Sequence, residues 1–390
     1  MNEKEVAELR RRLRPDKSNI THILGCYVNE QKEIISQFNE PLALMSAEDG
    51  EKYLALFRKV LTGSIGRSLL DLSFRTQQVV DSDEHRLLMT LRDSALGDED
   101  AVHAFFSRAI QSLDLEGNCL ILLTYNTYDV YYKGKDGLEQ QDNSSEQFRY
   151  LLCAVCPVKE TKPSLNYDSR ESRFHIRAPG QVVGAPEMGF LFPAFDDRAT
   201  NIYNALYYTR SAGEVHTSFV DALFKTPAPM PAQVQRETFQ TILEDTLEEE
   251  CSYQVVQAVQ DHLTQMMEVH KESREVEPLT VSKQGLRALL RASGVSDAHA
   301  EAFDEQFDAQ FGAGTELSPQ NLVDTKHLEL KMPDVVIQVN PERSELVQTR
   351  IVDGARCIVI RATEAVEVNG VAIQFGGGEK EAANGKKPEP

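Results

Sequence analysis

The sequence predicts an α+β fold in which an antiparallel sheet with flanking helices is followed by a helical middle region and a C-terminal β meander. Amphipathic helix patterns come first, and apolar runs of strand length follow them. Helices grouped ahead of strands are typical of α+β folds, whereas a regular alternation of the two is typical of a wound parallel sheet. The chain of 390 residues is long enough to bury a sizeable core without disulfides or metal ions.

Charge and composition exclude several classes of protein. The chain has 41 Lys and Arg against 61 Asp and Glu, and this net charge of −20 argues against broad electrostatic wrapping of nucleic acid or of an anionic membrane. No stretch approaches the roughly 18 continuous apolar residues of a membrane span, and the charged N-terminus lacks a secretory signal pattern. The six cysteines are too few for a disulfide framework, so we expect reduced thiols in a cytoplasmic protein.

Composition also divides the chain into four predicted parts. Three prolines within residues 227–231 cannot continue a helix and therefore mark a linker. Residues 232–277 carry eleven acids and three bases, which makes the following region strongly acidic. The predicted parts are an α+β domain (1–226), an acidic helical region (227–325), C-terminal β hairpins (326–375) and a disordered tail (376–390).

Apolar periodicity predicts the elements of the first part. Ser82 is an expected N-cap, and so is Asp98 or Asp100 ahead of the most regular apolar stripe. Helices are predicted over 3–14, over 47–61, after Ser82, after Asp98, near 197–209 and around 215–223. Strands are predicted over 25–28, 33–38, 119–123 and 151–158, with a polar loop at 133–145 and a hairpin of 165–168 with 173–177.

The rest of the chain combines helix pairs with short strands. One helix pair is predicted over 232–277 and another over 283–310, the latter broken at Ser293-Gly294. Asp353-Gly354 and Asn369-Gly370 are typical of type I′ hairpin turns, whose two central positions require positive φ. The predicted strands cover 335–339, 347–352, 357–360, 366–368 and 371–375.

Two groups of basic residues are candidates for contact with nucleic acid or with a protein partner. One lies in the first helix and its exit, where a solvated or internally paired face is the alternative. The other recurs every four residues along a later helix, but the acids of the next helix would be repelled from DNA, so an ordinary helical hairpin is the alternative there. The candidates are Arg10, Arg11, Arg12, Arg14, Lys17, Lys283, Arg287 and Arg291.

A polar segment beside the apolar run 190–195 is a candidate ligand site. Adjacent carboxylates form a poor acid–base pair but suit the positive end of a helix, so capping and internal hydrogen bonding are the alternative. The candidate residues are Asp196, Asp197, Arg198, Asn201 and Asn204.

Cys153 and Cys156 form a CxxC motif inside a strand-like apolar run. In a strand, positions i and i+3 face opposite sides, so we expect buried structural thiols rather than a zinc or redox site. The histidine spacings match no metal-binding motif, and no nucleotide-binding fingerprint is present. We therefore predict no metal and no cofactor.

Several segments resemble a known family. They are Arg-Pro-Asp-Lys-Ser-Asn-Ile at 14–20, Gly-Cys-Tyr-Val at 25–28, Thr-Gln-Gln-Val-Val at 76–80, Phe-Pro-Ala-Phe-Asp-Asp-Arg-Ala-Thr-Asn-Ile-Tyr-Asn at 192–204, Asn-Pro-Glu-Arg at 340–343 and Val-Asn-Gly-Val at 368–371. Over residues 1 to about 375 the chain is similar to the family of domain of unknown function 4317, from Firmicutes and related gut bacteria. This resemblance implies a cytoplasmic bacterial protein and brings no established activity.

The order of segments also resembles that of the bacterial 37-kilodalton nucleoid-associated protein family. That family has an early strand pair, a buried strand similar to residues 117–124, a Phe-Leu-rich run similar to 189–208 and a terminal β meander. The resemblance implies proximity to nucleic acid. The chain has Asp196-Asp197 where that family tends to be basic, so no binding residue is carried over.

Three hypotheses for the function follow. The first, implied by the nucleoid resemblance, is a non-enzymatic protein that binds nucleic acid through the local basic groups. The second is a protein–protein adaptor or oligomeric scaffold, favoured by the acidic helix pair and by the exposed edges of the terminal strands. The third is an enzyme centred on Asp196, Asp197 and Arg198, which requires a concave pocket at those residues.

Overall fold

The computed structural model of the protein describes residues 1–133, 139–273, 277–324, 328–340, 343, 346–362, 366–368 and 371–373. Within these ranges the fold is α+β and is built around one antiparallel sheet, as the sequence predicts. None of the helices in these ranges combines the length and the apolarity that a bilayer-spanning segment requires.

Short polar residues cap the helices that flank the sheet. Asn2 forms a capping box with Glu5, and the predicted caps Ser82 and Asp98 each accept a hydrogen bond from a backbone N–H in the first turn of their helix. The helices of this part are α1 (Glu3–Arg12), α2 (Ala47–Val60), α3 (Thr76–Asp81), α4 (Asp83–Asp93), α5 (Glu99–Gln111) and α6 (Thr217–Phe224).

The strands of this part form the central sheet and two hairpins. They are β1 (His22–Val28), β2 (Ile34–Pro41), β3 (Leu69–Ser73), β4 (Asn118–Lys133), β5 (Glu139–Glu160), β6 (Ser164–Asp168), β7 (Arg173–Arg177), β8 (Gln181–Val183), β9 (Met188–Phe192), β10 (Ala194–Asp196), β11 (Ala199–Asn201) and β12 (Asn204–Thr209). The sheet order is β2-β1-β4-β5-β9-β12-β3, with β8 paired to β5, and the neighbours run antiparallel. The predicted β6–β7 hairpin is confirmed, and β10 pairs with β11 as a second one.

The two faces of the sheet bury separate hydrophobic clusters, because successive side chains of a strand point to opposite sides. Cys153 packs in the cluster that includes α4, α5 and α6, whereas Cys156 packs in the cluster that includes α1 and α2. Both thiols are fully buried and neither forms a disulfide. Burial raises the pKa of Cys156 to about 12. The prediction of buried thiols on opposite faces is confirmed.

The predicted helix near residues 197–209 is wrong. Asp197 and Arg198 have φ values of 50° and 60° and form the turn between β10 and β11, and the residues from Asn204 onward form β12. β12 lies between β9 and β3, where it is paired on both sides and its residues from Ala205 to Thr209 are buried. Pairing with two neighbours outweighs the local propensity of this segment.

The predicted loop at 133–145 is also partly wrong. β4 and β5 continue as a two-stranded ribbon as far as Lys133 and Glu139, so much of the predicted loop is strand. Residues 134–138 lie outside the described part of the chain.

The helical region follows the proline-rich segment 227–231 and has a hydrophobic cluster of its own. Both predicted helix pairs are confirmed. The two helices of the second pair are joined by a turn at Gly294, whose φ is 95°. Residues 274–276 lie outside the described ranges. The elements are α7 (Ala232–Leu247), α8 (Tyr253–Ser273), β13 (Val281–Ser282), α9 (Lys283–Ala292), α10 (Asp297–Phe311), β14 (Glu316–Leu317) and α11 (Pro319–Leu322).

The last strands pair as three hairpins, and within the described residues no pairing joins one hairpin to the next. Asp353 and Gly354 have φ values of 51° and 80°, which confirms the predicted type I′ turn. The predicted turn at Asn369-Gly370 and the predicted disordered tail at 376–390 lie outside the described residues. The strands are β15 (Leu328–Met332), β16 (Val335–Val339), β17 (Val347–Val352), β18 (Ala355–Ile360), β19 (Val366–Val368) and β20 (Val371–Ile373).

Candidate functional site

Asp196, Asn201 and Asn204 are brought together by the β10–β11 hairpin, and Asp196 also lies 3.3 Å from the N-terminal ammonium of Met1. The side-chain amide of Asn201 donates to Asp196 Oδ2 at 3.2 Å and to Asn204 Oδ1 at 3.3 Å. Asn204 in turn donates to Ser73 Oγ on β3 at 2.8 Å. These bonds hold the hairpin against the edge of the sheet, which agrees with the alternative of internal hydrogen bonding.

Arg198 is paired with the first helix. Its Nη1 lies 2.8 and 3.1 Å from the two carboxylate oxygens of Glu8, and its backbone N–H donates to Glu5 at 3.2 Å. The hydroxyl of Tyr128 on β4 donates to Glu8, and the Arg12 guanidinium lies 3.7 Å above the Tyr128 ring. This arrangement joins α1 to the sheet. It does not favour an enzyme centred on Arg198, Asp196 and Asp197, because the two aspartates are exposed on a turn.

The N-terminal basic group is divided between two environments. Arg12 lies against Tyr128, and Arg10 donates to the Leu61 carbonyl oxygen at 3.4 Å, so both act within the fold. The side chains of Arg11, Arg14 and Lys17 are exposed.

The basic stripe on α9 faces the acids of α10. Lys283 Nζ lies 2.5 Å from Asp308, and Arg291 lies 2.7 Å from Asp297. Arg287 bridges Asp304 at 2.6 Å and Glu301 at 3.5 Å. The three cations are therefore largely neutralised by carboxylates that would have to leave before a phosphate approached.

A cleft of about 1010 Å³ separates the sheet from the helical region. It is large enough for a small molecule, and it is lined by residues of both charge signs, such as Asp71, His270 and Lys271. Burial raises the pKa of Asp71. None of the sequence-predicted site residues lines this cleft.

Asn321 joins the two sides of the cleft. Its amide donates to the Gly66 carbonyl oxygen at 2.6 Å and to Gln235 Oε1 at 3.1 Å, although the residue is only 1 % exposed. The neighbouring Gln320 donates to the Ile65 carbonyl oxygen at 2.9 Å.

The β6–β7 hairpin extends from the sheet as an arm, which we define as residues 161–180. Its base is closed where the Thr161 N–H donates to the Gly180 carbonyl oxygen at 2.7 Å. Leu165 pairs with Ile176 and Tyr167 with Phe174, so these four apolar side chains share one face. They are 67, 70, 57 and 65 % exposed.

We call these four side chains the apolar face of the arm. Apolar and polar residues alternate along both strands, and this pattern predicts the hairpin and places the four apolar side chains on one face. No local pattern in the sequence indicates that this face is exposed to solvent. Uncovered aromatic and aliphatic side chains at this density are typical of protein contact surfaces.

A groove of about 240 Å³ lies between α7 and α10. Its walls include the apolar Val234 and Ile242, and the exposed carboxylates of Glu237 and Asp245 lie along it. We call this feature the acidic groove. It combines apolar surface with negative charge, which suits a ligand that is apolar and basic.

Comparison with known proteins identifies a family. A search of curated proteins finds no match. The model of a protein family described as a domain of unknown function (DUF4317) matches residues 1–371, which include the sheet, the arm and the helical region. The chain therefore belongs to the family of domain of unknown function 4317.

Proposed function

We propose that the protein is an oligomeric scaffold in which the arm of one copy binds a second copy of the same chain. The observation that carries this proposal is the apolar face, in which four large side chains are each more than half exposed. A two-stranded hairpin is at best marginally stable in water, and packing its apolar face against another surface stabilises it.

Charge complementarity favours a second copy as the occupant. The arm carries four bases and two acids, whereas the chain as a whole has a charge of −20. The described residues that line the acidic groove include Glu237 and Asp245 and no Lys or Arg. An apolar, basic arm is therefore complementary to the acidic groove of another copy.

Reciprocal binding closes the assembly. If each copy inserts its arm into the acidic groove of the other, both contacts are related by a twofold axis and no unpaired arm remains. We therefore expect a dimer rather than an open filament.

Light scattering and sedimentation over a range of concentrations test this proposal with three proteins. We expect a dimer for the wild type, a monomer for Tyr167→Ser/Phe174→Ser, and a dimer for Asn166→Ser/His175→Ser. The control pair lies directly opposite each other on the polar face of the same hairpin. A monomeric wild type at every concentration overturns the proposal, and so does a double serine variant that dimerises as strongly as the wild type.

Charge reversal tests the position of the contact. Arg170 is exposed at the tip of the arm, and Glu237 and Asp245 are exposed along the acidic groove. We expect Arg170→Glu or Glu237→Lys/Asp245→Lys to weaken the dimer, and their combination in one chain to restore it. Weakening without restoration would place the contact elsewhere on the molecule.

A second candidate function is nucleic-acid binding through Arg11, Arg14 and Lys17. The observation that favours it is their exposure, whereas the stripe on α9 is engaged by carboxylates. Anisotropy of labelled DNA and RNA in a salt series tests this function. Replacement of all three by Gln lowers the salt slope by about three if each contacts a phosphate. Lys283→Gln/Arg291→Gln is the control, and equal binding by the triple variant rejects this surface.

A further inference from the structure

Two loops meet on the face of the sheet that α5 and α6 cover. One follows α5 and carries Asp114, and the other precedes α6 and carries Glu214 and His216. His216 is 5 % exposed, whereas the two carboxylates lie at the surface above it.

The three side chains present their donor atoms to one point. His216 Nδ1 lies 2.7 Å from Asp114 Oδ1 and 3.5 Å from Glu214 Oε1, and one donor atom from each residue falls within 4.8 Å of the others. In a tetrahedral zinc site with bonds of about 2.1 Å, neighbouring donor atoms are about 3.4 Å apart. The separation between His216 and Glu214 has about this value, whereas that between His216 and Asp114 is shorter and is that of a hydrogen bond.

The local charge is uncompensated. Among the described residues, His216 is the only Lys, Arg or His whose side chain lies within 4.0 Å of either carboxylate. Two carboxylates therefore face one imidazole. Burial raises the pKa of the nearby Tyr207 well above 10, and the negative charges of Asp114 and Glu214 raise this pKa further. A bound dication would neutralise this excess.

The loop before α6 is held rigidly from below. The hydroxyl of Tyr207 donates to the Val215 carbonyl oxygen at 2.9 Å, and Thr209 Oγ1 donates to the Glu214 carbonyl oxygen at 2.6 Å. Both of these supporting side chains are buried in the sheet. The backbone that carries two of the three donors is therefore fixed before any ligand arrives, which favours specific coordination.

We infer that Asp114, Glu214 and His216 bind a divalent transition-metal ion of the zinc class. One imidazole nitrogen and two carboxylate oxygens suit such an ion, whereas Mg²⁺ and Ca²⁺ prefer sites made only of oxygen. Three protein ligands leave a fourth position for water or for a ligand atom. The site is independent of the arm, so it stands whether or not the protein is a dimer.

Competition with a chromophoric zinc indicator tests the inference on the full chain, after removal of any histidine tag and dialysis against a chelator. We expect the wild type to bind Zn²⁺ and Asp114→Asn and Glu214→Gln each to weaken this binding by about tenfold or more. Glu116→Gln removes an exposed carboxylate two residues from Asp114 and is expected to bind as the wild type does. Mg²⁺ and Ca²⁺ are expected not to compete.

Both amide variants are nearly isosteric and their positions are exposed, so we expect them to fold, and circular dichroism checks that they do. A wild type that binds no zinc at micromolar concentration overturns the inference. Equal zinc affinity of folded Asp114→Asn and the wild type overturns it as well, because the metal then lies elsewhere.

Discussion

Tyr167 and Phe174 face each other across the arm with their ring centroids 5.2 Å apart, yet both rings are more than half exposed to solvent. Cross-strand aromatic pairs stabilise a hairpin locally, but an exposed pair leaves most of its apolar surface in water. By contrast, Phe148 and Tyr150 on β5 are fully buried. The two aromatic rings of the arm are more exposed than that of Tyr203, which is 44 % exposed.

Gly189 has no room for a methyl group. A Cβ there would lie 2.3 Å from the Cys153 carbonyl oxygen on β5 and 2.9 Å from Val60 on α2. Gly189→Ala is therefore expected to lower the free energy of unfolding by about 1–3 kcal/mol, because backbone must move to admit it. Urea unfolding measures the change.

Gly180→Ala is the matched control for this prediction. A Cβ at Gly180 would have Thr161 Oγ1 as its nearest neighbour at 3.8 Å, an ordinary van der Waals distance. Equal destabilisation by both variants would show that β5 and β9 are not in the close register described.

The thiols are expected to differ sharply in reactivity. Cys26, Cys119, Cys153 and Cys156 are buried, and burial raises the pKa of Cys119 to about 11. At pH 8 a thiol with that pKa is about one part in a thousand thiolate, and access is also blocked. Native protein is therefore expected to react with an aromatic disulfide reagent only at Cys251 and Cys357, which are partly exposed.

Denaturant is expected to expose all six thiols to the same reagent, which makes the unfolded chain the internal control. Rapid labelling of Cys153 or Cys156 in the native protein, located by peptide mapping, would contradict their burial on the two faces of the sheet.

Glu250 and His299 form an ion pair whose effect depends on pH. His299 Nδ1 lies 2.9 Å from the Glu250 carboxylate, which also accepts a hydrogen bond from the Ser296 N–H. The bond to His299 lowers the pKa of Glu250, and the bond to Glu250 raises the pKa of His299 above 6.5. The stabilisation that comes from the raised pKa of His299 is complete below pH 6.5 and is lost as the pH rises through that pKa. The stabilisation that comes from the lowered pKa of Glu250 is complete above pH 4.5 and is lost as the pH falls through that pKa.

Between these limits both contributions are present. Glu250→Gln is therefore expected to lower the Tm more at about pH 5.5 than at about pH 8.5, measured by thermal unfolding at low salt. Glu249→Gln, which changes the exposed neighbouring carboxylate, is the control and is expected to show a smaller dependence. A pH-independent difference between Glu250→Gln and the wild type would contradict the pairing.

Asn321 is expected to couple the helical region to the sheet. Asn321→Ala leaves the Gly66 carbonyl oxygen and Gln235 Oε1 without their shared donor, which costs about 1–3 kcal/mol when such groups are buried. Calorimetry is expected to show the helical region unfolding at a lower temperature than the sheet. Protease cleavage near residues 227–231 is expected to become faster, in keeping with our proposal of a domain boundary there.

Gln310→Ala removes an exposed amide from α10 and is the control, with little change expected in either measurement. Destabilisation of the sheet to the same extent as the helical region would show that the two parts unfold as one unit.

The sequence by itself determined most of the local structure. The caps Ser82 and Asp98, the alternation through Cys153 and Cys156, and the turn at Asp353-Gly354 are local signals, because each depends on neighbours within a few residues. The helical hairpin that begins at Lys283 is local in the same sense, because its basic stripe and the acids that pair with it lie in consecutive helices.

Tertiary structure alone decided the rest. Residues 204–209 form a strand because β9 and β3 lie on either side of them. Arg198 forms an ion pair within the fold because α1 packs where Glu8 can contact it. Asp114 and His216 are about a hundred residues apart and meet only when α5 and α6 pack on the same face. Local propensity carries no information about such long-range neighbours, so the sheet order and the packing of the helices determine which side chains meet.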